Sequence, residues 1–519
     1  MSSLPPGVTE AQTLTADLEV GCDVCIIGSG PGGAVSAAVL AQAGLRVIVL
    51  EEGGYFTKAR FRQREDEAYP YLYKDGTQRT TKDVAITILQ GKAVGGGSVV
   101  NWTTCFRTPD DVLDRWKTKH NVNGLDHNNL APHFAWAEQR LGINKTPLGL
   151  VNKNNRTIYD GCQQLRHDVD TVSRNVIGCA QTGSCGHGCP IDAKQSMLVT
   201  CIPDAIRAGA SLLSRCKVDR IVFEAGRAVA VVGHAIDAFG LAETGVKITI
   251  KPRTVIVAGG AINSPALLIR SGTPDPHGTL GRRTFVHPVV ASISIFDQPI
   301  EGWKGAPQTV ASHHNAHRGD EVGWFLEAGP VHPMLASTAF PGFGAAHRDG
   351  MKILANAAAH LAITVDGHHD DVVGGTVSVT SSGAPVLDYP IVDRQWRAFR
   401  DAQKVMAQVG FAAGAKEVWT SHEPALRMTS LDDMTKIDAQ PWMPCRVGIF
   451  SAHQMGGCGM SDEARGGVVR SEDARHHQVD NLHVIDGSLF PTAVGVNPQL
   501  SIYGVAHLYA TRLAGLLKP

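Results

Sequence analysis

The sequence predicts an α/β fold, α+β overall, in which a Rossmann-like nucleotide-binding domain is joined to a second domain with an antiparallel sheet. The first observation is an apolar strand at 22–27 that runs into a glycine turn and then into a helix of small residues. The second is the same order of strand, glycine turn and helix at 251–265. The third is the segment 288–444, where apolar and polar residues alternate as in antiparallel strands with one buried face.

The first glycine turn has the pattern G-x-G-x-x-G, which is typical of dinucleotide binding when a strand precedes it and a helix follows. Gly28 forms the tight turn, Gly30 lets the backbone approach a pyrophosphate, and Gly33 lets the helix pack closely on the strand. Glu51 follows about twenty residues later at the end of a second strand, where an acidic side chain can bind a ribose hydroxyl. The nucleotide contacts predicted from this unit are Gly28, Gly30, Pro31, Gly33 and Glu51.

The composition is that of an ordinary globular protein. A chain of 519 residues can hold a large core and two domains. A hydrophobic share of 43%, a charged share of 19% and a net charge of -1 give no electrostatic reason to expect nucleic acid or an anionic membrane as a partner. No apolar run is long enough for a transmembrane segment, and residues 1–20 lack the features of a secretion signal. The odd number of cysteines, 11, favours free thiols in a reducing compartment, so we expect a cytoplasmic protein.

Changes in sequence texture divide the chain into two expected domains. Segments of strand and glycine turn assign 20–287 and 445–519 to the nucleotide-binding domain, with 110–175 as a helical excursion from it. The segment 288–444 is expected to form a substrate-binding domain that covers the nucleotide, and its one clear helix spans 393–409.

A second glycine-rich stretch at 91–102 contains the three consecutive glycines Gly95, Gly96 and Gly97. Such a run is costly in chain entropy unless the backbone must lie against something flat or large. A flexible loop is the alternative interpretation. The apolar residues on both sides favour a buried turn that faces a ligand.

Four segments resemble the glucose–methanol–choline (GMC) oxidoreductases, which use FAD. They are 28–51, 91–101, 255–265 and 451–519, and they occur in the order found in that family. Together they span nearly the whole chain. The resemblance implies that the bound nucleotide is FAD.

The last segment carries the most specific motif of the resemblance. It reads SAHQMGGCGM from Ser451, VIDGS from Val484 and GVNP from Gly495. Many members of the family have a second histidine where this chain has Asn497. An asparagine at this position is similar to the branch that contains cholesterol oxidase and the long-chain alcohol oxidases.

The resemblance makes His453 the active-site histidine over the flavin and Asn497 its partner. Alcohol oxidation needs a base for the hydroxyl proton as hydride leaves the neighbouring carbon for flavin N5, and histidine titrates near neutral pH. Asparagine is not a base, so this role falls to His453 alone, while Asn497 holds the substrate oxygen. Asn497 and Pro498 open the last helix, whose first backbone N–H groups and positive end would face the negative charge of reduced flavin. The resemblance implies further cofactor contacts at Gly96, Gly97, Ser98, Asn101, Val218, Ala258, Gly259, Asp486 and Gly487.

Three cysteines, Cys179, Cys185 and Cys189, lie close together in the sequence and precede a proline. Bacterial flavin glucose dehydrogenases of the same family have a similar arrangement that holds an iron–sulfur cluster, for which thiolates are suitable ligands. Long-chain alcohol oxidases also carry a cysteine-rich stretch here, followed by Ala-Lys-Gln-Ser as at 193–196, and are not known for clusters. We expect a tight loop with free thiols and no metal, with the iron–sulfur cluster as the alternative. Zinc lacks a fourth ligand other than His187.

The sequence therefore predicts an FAD-dependent oxidase or dehydrogenase that converts a hydrophobic primary or secondary alcohol to a carbonyl compound. Its electrons pass to oxygen or to an unknown carrier. Two alternatives stay open: a sugar or polyol dehydrogenase that uses an iron–sulfur cluster and a partner, and a flavin-containing hydroxynitrile lyase. The pair of His453 and Asn497 argues against a catalytically silent binding protein. No motif identifies the alcohol, because specificity lies in 288–444.

Overall fold

The structure, a computed structural model, describes residues 4–517. Its helices are α1 (Pro31–Gln42), α2 (Glu65–Leu72), α3 (Asp110–His120), α4 (His127–Arg140), α5 (Lys153–Gln164), α6 (Cys201–Arg207), α7 (Asn263–Arg270), α8 (Pro333–Ala339), α9 (Ala345–Lys352), α10 (Asp393–Ala412) and α11 (Gln499–Leu517). Its strands are β1 (Val8–Glu10), β2 (Leu18–Ile27), β3 (Val47–Leu50), β4 (Ile86–Ile88), β5 (Thr104–Cys105), β6 (Ile143–Lys145), β7 (Asp170–Thr171), β8 (Ser173–Asn175), β9 (Ser211–Ser214), β10 (Cys216–Glu224), β11 (Arg227–Ile236), β12 (Glu243–Val257), β13 (Arg282–Phe285), β14 (Val289–Ile295), β15 (Val310–Ser312), β16 (Trp324–Gly329), β17 (Ala357–Thr364), β18 (Gly375–Val379), β19 (Pro385–Asp388), β20 (Glu417–Thr420), β21 (Arg427–Met428), β22 (Ile449–Ser451), β23 (Met455–Gly456) and β24 (Leu482–Val484). Across the described range, every helix is too short or too polar to span a bilayer.

An eight-stranded sheet forms the nucleotide-binding part of the protein. Its strand order is β1, β9, β3, β2, β12, β11 and β10, with β24 beside β12. Strands β1, β9, β3, β2, β12 and β24 run parallel to one another. Beyond β12 the sheet continues with β11 and then β10, each antiparallel to its neighbour. The predicted strand 22–27 is the buried end of β2, and the helix of small residues after it, α1, packs against α6 and α11. The sheet also includes β1, which lies before residue 20, the expected start of this domain.

The carboxyl ends of three parallel strands position the site. β12 lies between β2 and β24, so the chain leaves Ile27, Val257 and Val484 at the same edge of the sheet. In an open parallel sheet this edge is where ligands bind. The two predicted strand–glycine–helix units therefore lie side by side, and the VIDGS segment of the last motif joins them.

A nine-stranded sheet contains the antiparallel strands that the alternation in 288–444 predicts. Its strand order is β21, β20, β14, β17, β16, β15 and β7, and β22 lies between β14 and β4. α10 continues to Ala412 rather than ending at residue 409. It packs against β14 and β17, and also against α5. Three strands of this sheet, β4, β7 and β22, come from outside 288–444. They join it because pairing satisfies backbone groups along strands whose edges would otherwise be unpaired.

Two smaller sheets complete the described fold: β19, β18, β13 and β23 form one, and β5, β8 and β6 form the other. The first part of the helical excursion expected over 110–175 consists of the two helices α3 and α4. Asn121 ends α3 with a left-handed φ of 52°. Asp126 then begins α4 by accepting a hydrogen bond of 2.9 Å from the backbone N–H of Asn129.

Candidate active site

A cavity of about 1010 Å³ extends from the carboxyl edge of the parallel sheet to β14 and β17 of the nine-stranded sheet. Its volume is near the upper end of the usual range for small-molecule and cofactor sites, about 300–1,000 Å³. All the predicted site residues except Gly33 and the three cysteines line it. These lining residues are Gly28, Gly30, Pro31, Glu51, Gly96, Gly97, Ser98, Asn101, Val218, Ala258, Gly259, His453, Asp486, Gly487, Asn497 and Pro498.

The glycines of the first turn have two different functions in the structure. Gly28 has a φ of 105°, and a Cβ atom there would lie 2.3 Å from the carbonyl oxygen of Ala258. A Cβ atom on Gly33 would lie 2.0 Å from the carbonyl oxygen of Gly28, so Gly33 permits close packing within the protein. By contrast, a Cβ atom on Gly30 would have its nearest neighbour at 3.8 Å, and one on Gly97 would have none within 4 Å. Gly30 and Gly97 therefore leave open space in the cavity, as a closely approaching ligand requires.

Glu51 is a buried carboxylate at the end of β3. Its Oε2 accepts hydrogen bonds from the backbone N–H (2.9 Å) and the hydroxyl (2.7 Å) of Ser29, and its Oε1 accepts one from the backbone N–H of Gly53 (2.8 Å). Burial raises its pKa, and these hydrogen bonds oppose that effect. Glu51 thus holds the first glycine turn in shape, and it also lines the cavity where ribose binding is expected.

The glycine-rich loop at 95–101 packs directly on the first turn. The backbone N–H of Gly95 donates to the hydroxyl of Ser29 over 3.0 Å, and a Cβ atom on Gly96 would lie 2.6 Å from Cα of Gly30. Asn101 donates from Nδ2 to Oε1 of Gln499 at the start of α11 over 2.7 Å. Its Oδ1 is buried and has no hydrogen-bond partner among residues 4–517, although it belongs to a residue on the cavity wall. A bound ligand with an N–H or O–H group would satisfy it.

Asp486 joins the loops that follow β24 and β12. Its Oδ2 accepts from the backbone N–H of Gly260 (2.8 Å) and the hydroxyl of Ser264 (2.6 Å), and its Oδ1 accepts from Ser488. Burial raises the pKa of Asp486, while these four hydrogen-bond donors favour the charged form. Its carboxylate is therefore largely engaged by the protein itself.

His453, Asn497 and Glu327 form a chain of hydrogen bonds on the cavity side of the nine-stranded sheet. Nδ2 of Asn497 lies 3.4 Å from Nε2 of His453 and donates to Oε2 of Glu327 over 3.1 Å. One amide group therefore faces both a ring nitrogen and a carboxyl group. Glu327 was not predicted as a site residue, although a single glutamate inside the buried strand β16 was a usable signal.

Burial favours the neutral form of both ionisable members of this chain. It lowers the pKa of His453 to about 4, so the imidazole is free to accept a proton. It raises the pKa of Glu327 to about 8, and the hydrogen bond from Asn497 only partly offsets this effect. A neutral base and a mostly protonated carboxyl group are therefore the starting state of the site.

A second histidine, His287, lies behind His453. The Nδ1 atoms of the two rings are 3.3 Å apart, and the ring planes are inclined by 73°. His287 is fully buried, whereas His453 is partly open to the cavity. Sequence reasoning missed His287, which comes just before Pro288 and β14 and carries no recognised motif.

The cavity wall beside His453 is apolar. Val289 of β14 pairs with Ile363 of β17 on one side and with Phe450 of β22 on the other, and all three line the cavity together with Leu361. Val289, Leu361 and Ile363 belong to one buried hydrophobic cluster against which Phe450 packs. This wall can bind an aliphatic or aromatic group and exclude water from the reacting atoms.

The cysteine-rich stretch does not form a ligand set. Among residues 4–517, no three histidine, cysteine, aspartate or glutamate side chains are placed to hold a metal ion. Cys179, Cys185 and Cys189 are free thiols in this structure. The buried ammonium of Lys194 lies in this region instead and donates to the carbonyl oxygens of Val99, Asn101 (3.1 Å) and Cys185 (2.6 Å). This lysine attaches the cysteine-rich stretch to the glycine-rich loop.

Family models and related sequences match nearly the whole chain. The GMC oxidoreductase model matches residues 69–289 in its N-terminal part and 373–506 in its C-terminal part, and an FAD-binding-domain model matches 21–60. A GMC-type oxidoreductase of Mycobacterium tuberculosis is 32% identical over 486 residues, which cover 93% of this chain and 74% of that protein. Two long-chain-alcohol oxidases of Arabidopsis thaliana are 28% identical, cover 96% of this chain, and are themselves covered to 67% and 68%.

Solved flavoenzyme structures share the fold. Pyridoxine 4-oxidase from Mesorbium loti superposes with a TM-score of 0.68 at 17% identity, covering 95% of this chain and 99% of that one. A variant of formate oxidase from Aspergillus oryzae superposes with a TM-score of 0.72 at 13% identity, covering 96% and 98%. The predicted α/β architecture is thereby confirmed.

The residues present fit an FAD molecule. The open positions at Gly30 and Gly97 leave room for an extended ligand, and the unpartnered amide oxygen of Asn101 offers it a polar contact. The cavity joins the dinucleotide turn to the chain of His453, Asn497 and Glu327. The chain belongs to the GMC oxidoreductase family and is an FAD-dependent oxidoreductase.

Proposed function

We propose that the protein oxidises a hydrophobic primary or secondary alcohol to the corresponding aldehyde or ketone, with His453 as the base. One observation carries this proposal: Nε2 of His453 lies 3.4 Å from the amide nitrogen of Asn497, and both residues line a cavity that also has an apolar wall. The relatives named long-chain-alcohol oxidases, which align over 96% of this chain, support the same substrate class.

Bound FAD supplies the acceptor for the hydride that leaves the alcohol carbon. The hydroxyl proton then requires a base at the substrate oxygen, and Nε2 of neutral His453 provides it. Because the pKa of His453 is lowered to about 4, this nitrogen keeps its lone pair throughout the physiological range.

Asn497 orients the alcohol. One N–H of its amide is held by Glu327, and the other points towards Nε2 of His453, where the hydroxyl oxygen of the substrate must bind. The substrate oxygen can accept this N–H while it donates its own proton to the histidine. Glu327, neutral below its pKa of about 8, holds the amide without placing a full negative charge beside the departing hydride.

The apolar wall formed by Val289, Leu361, Ile363 and Phe450 binds the remainder of the alcohol. A sugar would leave its hydroxyl groups without partners against this surface, and each unsatisfied polar group costs about 1–3 kcal/mol. An apolar chain loses no hydrogen bonds there and gains about 0.8 kcal/mol for each buried methylene. The wall therefore favours aliphatic or sterol-like alcohols.

An anaerobic flavin-reduction screen tests this function. The purified holoenzyme is mixed with straight-chain alcohols of increasing length, a sterol, glucose and a cyanohydrin, and flavin absorbance is followed. We expect apolar alcohols to bleach the flavin and glucose to leave it oxidised. Bleaching by glucose alone, or by no alcohol, would contradict the proposal. Admitting air afterwards distinguishes oxygen from a separate carrier as the electron acceptor, and an iron assay on the same sample tests the cluster alternative.

A further inference from the structure

The backbone of His287 has a left-handed conformation. Its φ is 46°, a left-handed value that is uncommon for residues other than glycine and costs energy unless the surroundings impose it. The carboxylate of Asp366 imposes it by accepting from the backbone N–H groups of Val286 (2.9 Å) and His287 (3.1 Å). The hydroxyl of Tyr389 donates to the same carboxylate over 2.6 Å, so Asp366 is itself fixed.

This backbone directs the imidazole of His287 at the back of His453. The two Nδ1 atoms lie 3.3 Å apart, and the ring of His287 also packs edge to face against Phe325. Nε2 of His287 is buried and has no hydrogen-bond partner among residues 4–517. His422 carries an unpaired buried ring nitrogen as well, so what distinguishes His287 is its contact with His453.

Two facing ring nitrogens can form a hydrogen bond only when one carries hydrogen and the other a lone pair. The amide of Asn497 donates towards Nε2 of His453, so this Nε2 holds a lone pair. The hydrogen of neutral His453 then lies on Nδ1, and Nδ1 of His287 must accept it.

We propose that His287 is a positioning residue that fixes the tautomer of His453, so that the lone pair needed for catalysis points at the substrate. This inference rests on the proposed function, in which His453 is the base. When His453 takes up the substrate proton at Nε2, its Nδ1–H continues to donate to His287, so the imidazolium keeps the same partner and orientation. In serine hydrolases a carboxylate accepts the Nδ1–H of the catalytic histidine and so fixes its tautomer and orientation. Here the neutral imidazole of His287 would have the same role.

His287 stays neutral and therefore able to accept. Burial lowers its pKa well below the usual range, and the two imidazoles that face it, His453 and His368, act in the same direction. The nearest carboxylate, Asp366, contacts its backbone N–H rather than its ring. The Nδ1–H of His453 is therefore held by a hydrogen bond to a neutral ring, without an ion pair to a carboxylate.

Three variants separate positioning from packing. His287→Asn keeps an acceptor near the position of Nδ1 and tolerates a left-handed backbone, whereas His287→Leu removes the acceptor. His422→Leu is the matched control, because His422 is equally buried, has its own hydrogen bond to Thr420, and lies off the cavity wall. FAD content, flavin-reduction rate against pH, and 15N signals of the histidine side chains are measured on each holoenzyme.

We expect His287→Leu to keep FAD but to slow flavin reduction at saturating alcohol by about 10–10³, less than the roughly 10⁴ lost when a charged orienting group is replaced. His287→Asn should recover most of this rate, and His422→Leu should match the wild type. An equal loss in His287→Asn and His287→Leu, or no loss in either, overturns the proposal.

The 15N signals decide the matter without turnover and without a folded leucine variant. In resting wild-type protein, with the His453 signal assigned by its disappearance in His453→Ala, we expect hydrogen on Nδ1. Hydrogen on Nε2 overturns the proposal. If no alcohol reduces the wild-type flavin, the proposed function fails, while the tautomer measurement still tests the contact between the two histidines.

Discussion

Glu327 and Asn497 are joined by one hydrogen bond of 3.1 Å, although they lie 170 positions apart in the sequence. The carboxyl group belongs to a buried strand of the nine-stranded sheet, and the amide lies just before the last helix. This contact fixes the amide that faces His453. The position of the Asn497 amide beside His453 therefore depends on Glu327 in strand β16.

Replacing Glu327 by glutamine should preserve the site. Glutamine is neutral, like protonated glutamate, and its oxygen can still accept from Asn497. We expect Glu327→Gln to retain FAD and to reduce flavin at a rate close to that of the wild type at pH 7. Stopped-flow spectroscopy measures the rate. Glu327→Leu is the matched control and should slow reduction, because it leaves the Asn497 amide without its acceptor.

Glu327→Gln also tests the raised pKa of Glu327. Its pKa rises from 4.5 to about 8 on folding, so between these values the native state binds more protons at this group than the unfolded state does. The stability contributed by this group is complete below pH 4.5 and is lost as pH rises towards 8. We expect the Tm of the wild type, relative to that of Glu327→Gln, to fall over this pH range. A constant difference would show that Glu327 does not titrate as inferred.

Removing the imidazole of His453 should abolish fast chemistry while FAD stays bound. A positioned base contributes about 10²–10⁴ to the rate, so His453→Ala should slow flavin reduction by this factor. The wild-type rate should be flat from about pH 6 to 7.5 and fall only as pH approaches 4, where His453 becomes protonated and Nε2 is blocked. pH-jump stopped-flow on wild type, His453→Ala and the His422→Leu control checks both points. A rate in His453→Ala within a few-fold of wild type would remove the histidine from its proposed role.

Three glycine substitutions should separate cofactor space from protein packing. Alanine at Gly30 or Gly97 meets no close protein atom, so the fold should survive while FAD binding weakens. Alanine at Gly33 would clash with the backbone of Gly28 at 2.0 Å, so Gly33→Ala should lose stability with or without FAD. The ratio of flavin to protein absorbance and the Tm of holo and apo protein are measured. Full FAD retention in both Gly30→Ala and Gly97→Ala would contradict the assignment of this space to the cofactor.

Lys194→Met should loosen the loop that lines the cavity. Methionine leaves three buried carbonyl oxygens without their donor, a loss of about 2–4 kcal/mol in the free energy of unfolding. Lys145→Met is the control, because Lys145 forms only an exposed ion pair with Asp170 and should contribute less than about 1 kcal/mol. Chemical denaturation of both variants gives the comparison. Equal stability of the two would mean that the three carbonyl contacts of Lys194 add nothing.

The parts of the site that sequence analysis found are those whose meaning is local. A G-x-G-x-x-G turn carries its own geometry, since Gly28 needs a left-handed φ and Gly33 needs the absence of a Cβ atom. His453 and Asn497 were recognised because their neighbours in sequence form a family motif. Both kinds of signal are present before the chain folds.

Glu327 and His287 could not be found in this way, because their roles depend on contacts between distant segments. His287 meets His453 across 166 positions. Neither residue belongs to a recognised motif. A glutamate within the apolar stretch 324–329 stands out, but only strand pairing shows that its element lies at the site. The cysteines show the converse: closeness in sequence does not bring Cys179, Cys185 and Cys189 together as a ligand set.

The pairing of β22 with both β14 and β4 has a mechanical consequence. His287 precedes β14, His453 follows β22, and the glycine-rich loop follows β4, so three neighbouring strands carry the two histidines and the cofactor loop. We expect thermal motion of this part of the sheet to move all three together, because the strand hydrogen bonds connect them. Amide hydrogens across 86–88 and 449–451 should accordingly exchange as one slow cooperative unit. The two histidines and the cofactor loop are thus held by one set of strand pairings, and we expect their spacing to change little when an alcohol binds.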